Sequence, residues 1–220
     1  MVELHSNFNL NGPKTSSNGV LPTYRTLHET LEITHGFTET FETGFYFFTS
    51  YQSDQGYNYV GSHIRPRVRV PESWKWPFGA SMSVEFGLQR RQFSEDTTNL
   101  ELRPVIDKQF GRWYVAINPA LEKSFVGQNA GSGFAFSPNA KVSYDVSKTV
   151  TLGLEYYGSV GPISEWDTAA NQTHQLFPSI DLNMGENWEF NFGVGIGLNR
   201  DSQDSQGTII KMILGRRFSF

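Results

Sequence analysis

Three arginines at strict two-residue spacing, Arg65, Arg67 and Arg69 in "SHIRPRVRVPESW", are the residues of this chain best placed to act on charge. They alternate with Ile64, Pro66, Val68 and Val70. In an extended strand, one face therefore carries three guanidinium groups and the other apolar side chains. A guanidinium binds carboxylates through a planar fork and stays charged at any working pH. Three in a row repel one another, so carboxylates on neighbouring strands must answer them. Glu85 and Glu101 (the latter beside Arg103) follow in the sequence, and Glu42 and Glu32 (with His28) precede. Such a ladder makes either a selectivity constriction or an ionic plug.

Nucleophilic chemistry is less well supplied. His28-x-Thr30 shares one strand face, with Glu32 beyond it, but no oxyanion-hole motif accompanies the pair. His5-Ser6 and Ser62-His63 are adjacent residues and point to opposite faces. The glycines of "GVGIGLN" fall at strand spacing, without the strand–turn–helix setting of a phosphate cradle. The chain has no cysteine, and no His/Asp/Glu set shows a recognisable metal spacing. We therefore expect no enzyme, no metal and no cofactor. The net charge of −4 and the lack of a basic cluster outside the ladder give no footprint for nucleic acid.

The elements that would position these residues are strands. Apolar and polar residues alternate from Val2, Leu4, Phe8 and Leu10 through to Ile210, Met212, Leu214, Phe218 and Phe220, in twelve segments. The connections between them alternate in length. Residues 11–22, 52–58, 90–97, 123–132, 160–171 and 199–206 are long and polar. Residues 35–39, 107–111, 145–148 and 185–187 are short, and 71–78 is intermediate. An even strand number, with long loops at one end and tight turns at the other, predicts an all-β fold: a 12-stranded antiparallel up-and-down transmembrane barrel, residues 1–220 forming one domain. Trp74, Trp76, Trp113 and Trp188 cluster at the short turns, where an aromatic girdle at the periplasmic interface belongs. Glycines on the polar face (Gly44, Gly87, Gly153, Gly193, Gly195, Gly197) suit a crowded lumen. An arginine facing lipid costs about 2–4 kcal/mol near the midplane, so the ladder must face inward.

The last residues, "IIKMILGRRFSF", place Phe220, Phe218, Leu214, Met212 and Ile210 on one face. This resembles the C-terminal strand signal of Gram-negative outer-membrane barrels, with Arg216 standing where an apolar residue is usual. "HIRPRVRVPESW", "LHETLEITHGF" and "WEFNFGVGIGLN" are similar to proteobacterial outer-membrane proteins grouped with aromatic-degradation transporters. The resemblance implies an integral outer-membrane protein in contact with lipid, with both termini periplasmic. It also implies delivery to the barrel-assembly machinery through the strand ending at Phe220. The expected function is passive diffusion of small solutes through a lumen lined by Arg65, Arg67, Arg69, Glu85, Glu101, Arg103, Glu32 and His28. The alternative is a non-conducting barrel plugged by the same network and acting through its loops.

Overall fold

β-branched and aromatic residues at every second position favour pleated strands, and strands satisfy their backbone only by pairing sideways. The computed structural model describes residues 1–205 and 207–218, so the expectation for Phe220 lies outside the described residues. Among the described residues twelve barrel strands form: β1 (Val2–Asn9), β2 (Leu27–Gly36), β3 (Phe41–Gln52), β4 (Gly56–Arg69), β5 (Gly79–Gln89) and β6 (Asp96–Phe110). They continue as β7 (Trp113–Ile117 with Ala120–Gly127), β8 (Ala135–Ser137 with Asn139–Asp145), β9 (Val150–Ser159), β10 (Thr173–Asn183), β11 (Trp188–Gly197) and β12 (Thr208–Arg216). Each strand pairs antiparallel with its neighbours in sequence, and β1 closes the ring against β12 from Val2↔Arg216 to Asn9↔Ile209. A closed ring leaves no strand edge unpaired, which is what lipid demands of a spanning sheet. Among the described residues no helix is long and apolar enough to cross a membrane.

The side chains are distributed inside out. Leu31, Phe45, Phe47, Ile64, Met82, Phe86, Leu152 and Leu154 are exposed on the outer face, whereas Glu32, Ser83, Glu155, Gln175 and Lys211 are buried within. That is the arrangement of a barrel whose solvent is hydrocarbon outside and water or paired polar groups inside.

Prolines interrupt the ladders where their missing N–H predicts. β7 breaks at Asn118-Pro119 and β8 at Pro138, and the Asn118 N–H bridges the two gaps by donating to the Asn139 carbonyl at 2.9 Å. Pro66 and Pro178 stand where the β4–β5 and β10–β11 pairings lapse. Several connections are shorter than expected: 107–110 and 123–127 still belong to β6 and β7, and residues 52–58 are not a long loop. Tyr51↔Tyr57 and Gln52↔Gly56 continue the β3–β4 ladder, and only residues 53–55 turn, with Gly56 supplying a φ of 67°. Polar residues there read as loop, yet a hairpin projecting beyond the apolar band tolerates them on both faces. Glu29 falls on the apolar parity of its strand, between Leu27 and Leu31, yet β2 keeps register there with both partners; the one register shift nearby lies at Phe48/Thr49 between β3 and β4.

Candidate functional site: the lumen and its charge network

Arg65 reaches past β3 to Glu32 on β2, with Nη2 2.8 Å from Oε1. The strand between them makes this possible: Gly44 lies opposite both Arg65 and Thr34, and a Cβ there would sit 3.1–3.3 Å from Tyr46, Thr34 and Glu32. Tyr46 donates its hydroxyl to the same carboxylate oxygen at 2.7 Å, while the Arg65 guanidinium lies 4.8 Å from the Tyr46 ring centre. Arg67 pairs instead with Glu42 on the adjacent strand, at 2.7 Å. Arg69, near the short-turn rim, donates to the Glu39 carbonyl at 2.6 Å. The ladder thus has a deep member, a half-exposed member and a rim member.

The remaining predicted residues are paired locally. Glu85 holds His63 Nδ1 at 2.5 Å, and Glu101 holds Arg103 on its own strand at 2.8 Å. Glu85 and Glu101 therefore make their closest pairs outside the ladder. His63 has the same parity as Arg65 and was legible as a lumen residue from that alone. His28 stands opposite Asn7 and Ser50 and lines a cavity of about 230 Å³ together with Glu29 and Thr30. The Glu32 carboxylate is engaged with Arg65 and Tyr46, so His28, Thr30 and Glu32 do not assemble as a nucleophile–base–orienter set.

A second network fills the opposite wall. Lys211 of β12 bonds Glu155 of β9, Lys141 of β8 bridges Glu155 (3.4 Å) and Asp181 of β10 (2.8 Å), and Tyr157 donates to Glu155 at 2.7 Å. The buried Phe177 ring lies beside Tyr157 and across Gly195, where a Cβ would meet it at 2.3 Å. Toward the short-turn end the interior widens into a cavity of about 810 Å³, bordered by Glu3, Asp145, Asp181, Glu189, Lys141 and Arg217 among others.

At the other mouth, the segment 10–26 reaches across the opening. The Leu21 N–H donates to the Gln92 carbonyl at 2.8 Å, Arg91 donates to the Asn18 carbonyl at 2.8 Å, and Asn18 donates to Glu95 at 2.7 Å. Those partners lie between β5 and β6, a third of the way round the ring. Nothing in the sequence announced this strap, because loop–loop contacts carry no periodicity.

The four tryptophans lie exposed at the short-turn end. Trp74 and Trp76 flank each other between β4 and β5, Trp113 packs on Tyr144 (ring centres 4.9 Å apart), and Trp188 lies under the Arg216 guanidinium.

No protein-family model matches the sequence, and no curated protein does. By structure the chain is similar to the NanC porin (TM-score 0.67, 7% identity, 99% of this chain and 100% of that one). It is also similar to the KdgM porin in complex with disordered oligogalacturonate (0.62, 12%, 99% of each chain). A third likeness is to the COG4313 outer membrane channel from Pseudomonas putida F1 (0.62, 11%, 99% and 94%). The fold is that of the outer-membrane β-barrels.

Proposed function

We propose that the chain is an integral protein of a Gram-negative outer membrane, both termini periplasmic, that lets small solutes diffuse through its lumen. The single observation carrying this reading is the polar cavity of about 810 Å³ inside a closed barrel. A barrel built only as a plugged anchor has no need of a wide, charge-lined vestibule. The similar solved structures are described as porins and a channel, which supports the same reading. In it, Arg65, Arg67, Glu32, His28, Glu85, Glu101 and Arg103 form the narrow part, with Arg69 at its rim. The four tryptophans anchor the periplasmic interface, and the C-terminal strand β12 with the residues that follow it is read by the assembly machinery. Aromatic compounds are the solutes to which the sequence resemblance points.

The second reading, a barrel plugged by its own ion pairs, is favoured by the pairing of Arg65, Arg67, Arg103 and His63 with neighbouring carboxylates. Single-channel recording of refolded protein in a planar bilayer separates the two. Steady conductance is expected, and changing Arg65, Arg67 and Arg69 together to Ser should move the reversal potential toward cations. A silent chain whose triple variant conducts would establish the plug instead.

A further inference from the structure

Glu3 and His5 are two residues apart on β1 and share its inner face, and Glu3 stands directly opposite Glu32 on β2. Two carboxylates facing each other across a strand pair repel. Arg65 answers only one side of this pair. Glu32 Oε1 accepts from Thr34, Tyr46 and Arg65 at 2.8, 2.7 and 2.8 Å, while its Oε2 is directed at His5 Nε2, 3.5 Å away. Glu3 Oε1 lies 3.8 Å from the same nitrogen. That nitrogen is buried and makes no hydrogen bond.

Separations of 3.5 and 3.8 Å are too long for hydrogen bonds to a ring nitrogen. They are close to the spacing of ligands around one ion, since tetrahedral bonds of about 2.0–2.2 Å set donors roughly 3.4 Å apart. All three donor atoms lie within 4.8 Å of one another. We propose that Glu3, His5 and Glu32 bind a divalent transition-metal ion on the lumen wall. One imidazole and two carboxylates suit zinc and its first-row neighbours better than calcium or magnesium, which prefer oxygen alone. Thr34, Tyr46 and Arg65 orient Glu32 from behind, as outer partners of a ligating carboxylate do. Glu3 borders the large cavity, which gives an ion a wet path in and leaves coordination positions open to a solute. The ion would neutralise the facing carboxylates and tie β1, the closing strand, to β2. None of this depends on whether the barrel conducts.

The test uses tag-free full-length protein, refolded in detergent, stripped with chelator and titrated calorimetrically with zinc chloride, magnesium serving as the comparison. One zinc per chain is expected, with magnesium far weaker. Glu3→Gln and His5→Gln should each weaken zinc binding by at least about tenfold, and Glu42→Gln, elsewhere in the lumen, should leave it unchanged. Absence of saturable zinc binding overturns the proposal, as does binding that both ligand substitutions leave intact. Should His5→Gln not refold, visible absorption of cobalt(II) on the unaltered chain and on Glu3→Gln decides the matter. Bands lost on that substitution support the site, and bands that persist place the ion elsewhere.

Discussion

At the scale of single residues, the arginine ladder is chemically uniform in sequence but not in energy. Arg65 is 23% exposed and faces a carboxylate that is 4% exposed, whereas Arg67 and Glu42 are 39% and 29% exposed. Removing one member of a buried pair strands its partner's charge, while removing one member of a wet pair lets water take its place. Arg65→Ala should therefore destabilise the barrel by about 3 kcal/mol, the low end for a buried pair. Arg67→Ala should cost under about 1 kcal/mol. Equilibrium urea unfolding in lipid vesicles measures both, and equal losses would show that water reaches Glu32 as freely as Glu42. The alternation of Arg65, Arg67 and Arg69 made their common face legible in the sequence. Their separate partners were not, because Arg65 reaches Glu32 only across the gap at Gly44, a three-strand coincidence that no single strand encodes.

Strand elements were the most legible part of the chain. Period-two patterning continues through β7 and β8 even where Pro119 and Pro138 break the ladder, so each pair of pieces reads as one strand. Loops were legible only as long or short. The β3–β4 hairpin outran its expected end because backbone pairing continued after the apolar alternation stopped. The segment 10–26 carried no sign of its tethers at all. Yet that segment has an energetic logic of its own: Asn18 adopts a φ of 49°, a left-handed conformation that asparagine tolerates, and so presents both carbonyl and side chain to the 90–95 loop. Each tether is a solvent-exposed hydrogen bond worth about 1 kcal/mol. Arg91→Ala together with Asn18→Ala should loosen the tip of the strap, leaving the Leu21–Gln92 backbone bond in place, and leave the barrel's thermal midpoint almost unchanged. In bilayer recordings the double variant should show larger or noisier open currents than the parent. Identical currents would mean that the strap lies clear of the conduction path.

At the scale of the whole molecule, alternation plus loop asymmetry made the closed barrel legible, since only closure satisfies twelve amphipathic strands in lipid. The direction of charge selectivity was not legible, because it depends on which charges are left over once partners are assigned. Around the large cavity, Lys211 is matched by Glu155, Lys141 by Asp181 and Arg217 by Glu189. Asp145 is held by neutral donors, Thr151 at 2.7 Å and Gln109 at 3.2 Å, and Glu3 faces the Glu32 carboxylate with the His5 ring nitrogen 3.8 Å away. The surplus is negative. A low-dielectric wall concentrates the field of such unpaired charges in the lumen and raises the local cation concentration. A KCl gradient across the bilayer should therefore give a reversal potential of the sign for potassium over chloride. Asp145→Asn with Glu3→Gln should carry it toward zero, and raising the salt to about 1 M, where the screening length falls to roughly 3 Å, should do the same in the parent. Zinc bound at the proposed Glu3, His5 and Glu32 site would provide a third route to the same end. If the zinc effect vanishes in Glu3→Gln while the salt effect persists, the metal site and the lumen field are separate properties of one wall. Anion preference in the parent would instead assign the selectivity to the arginines and reverse the roles of ladder and vestibule.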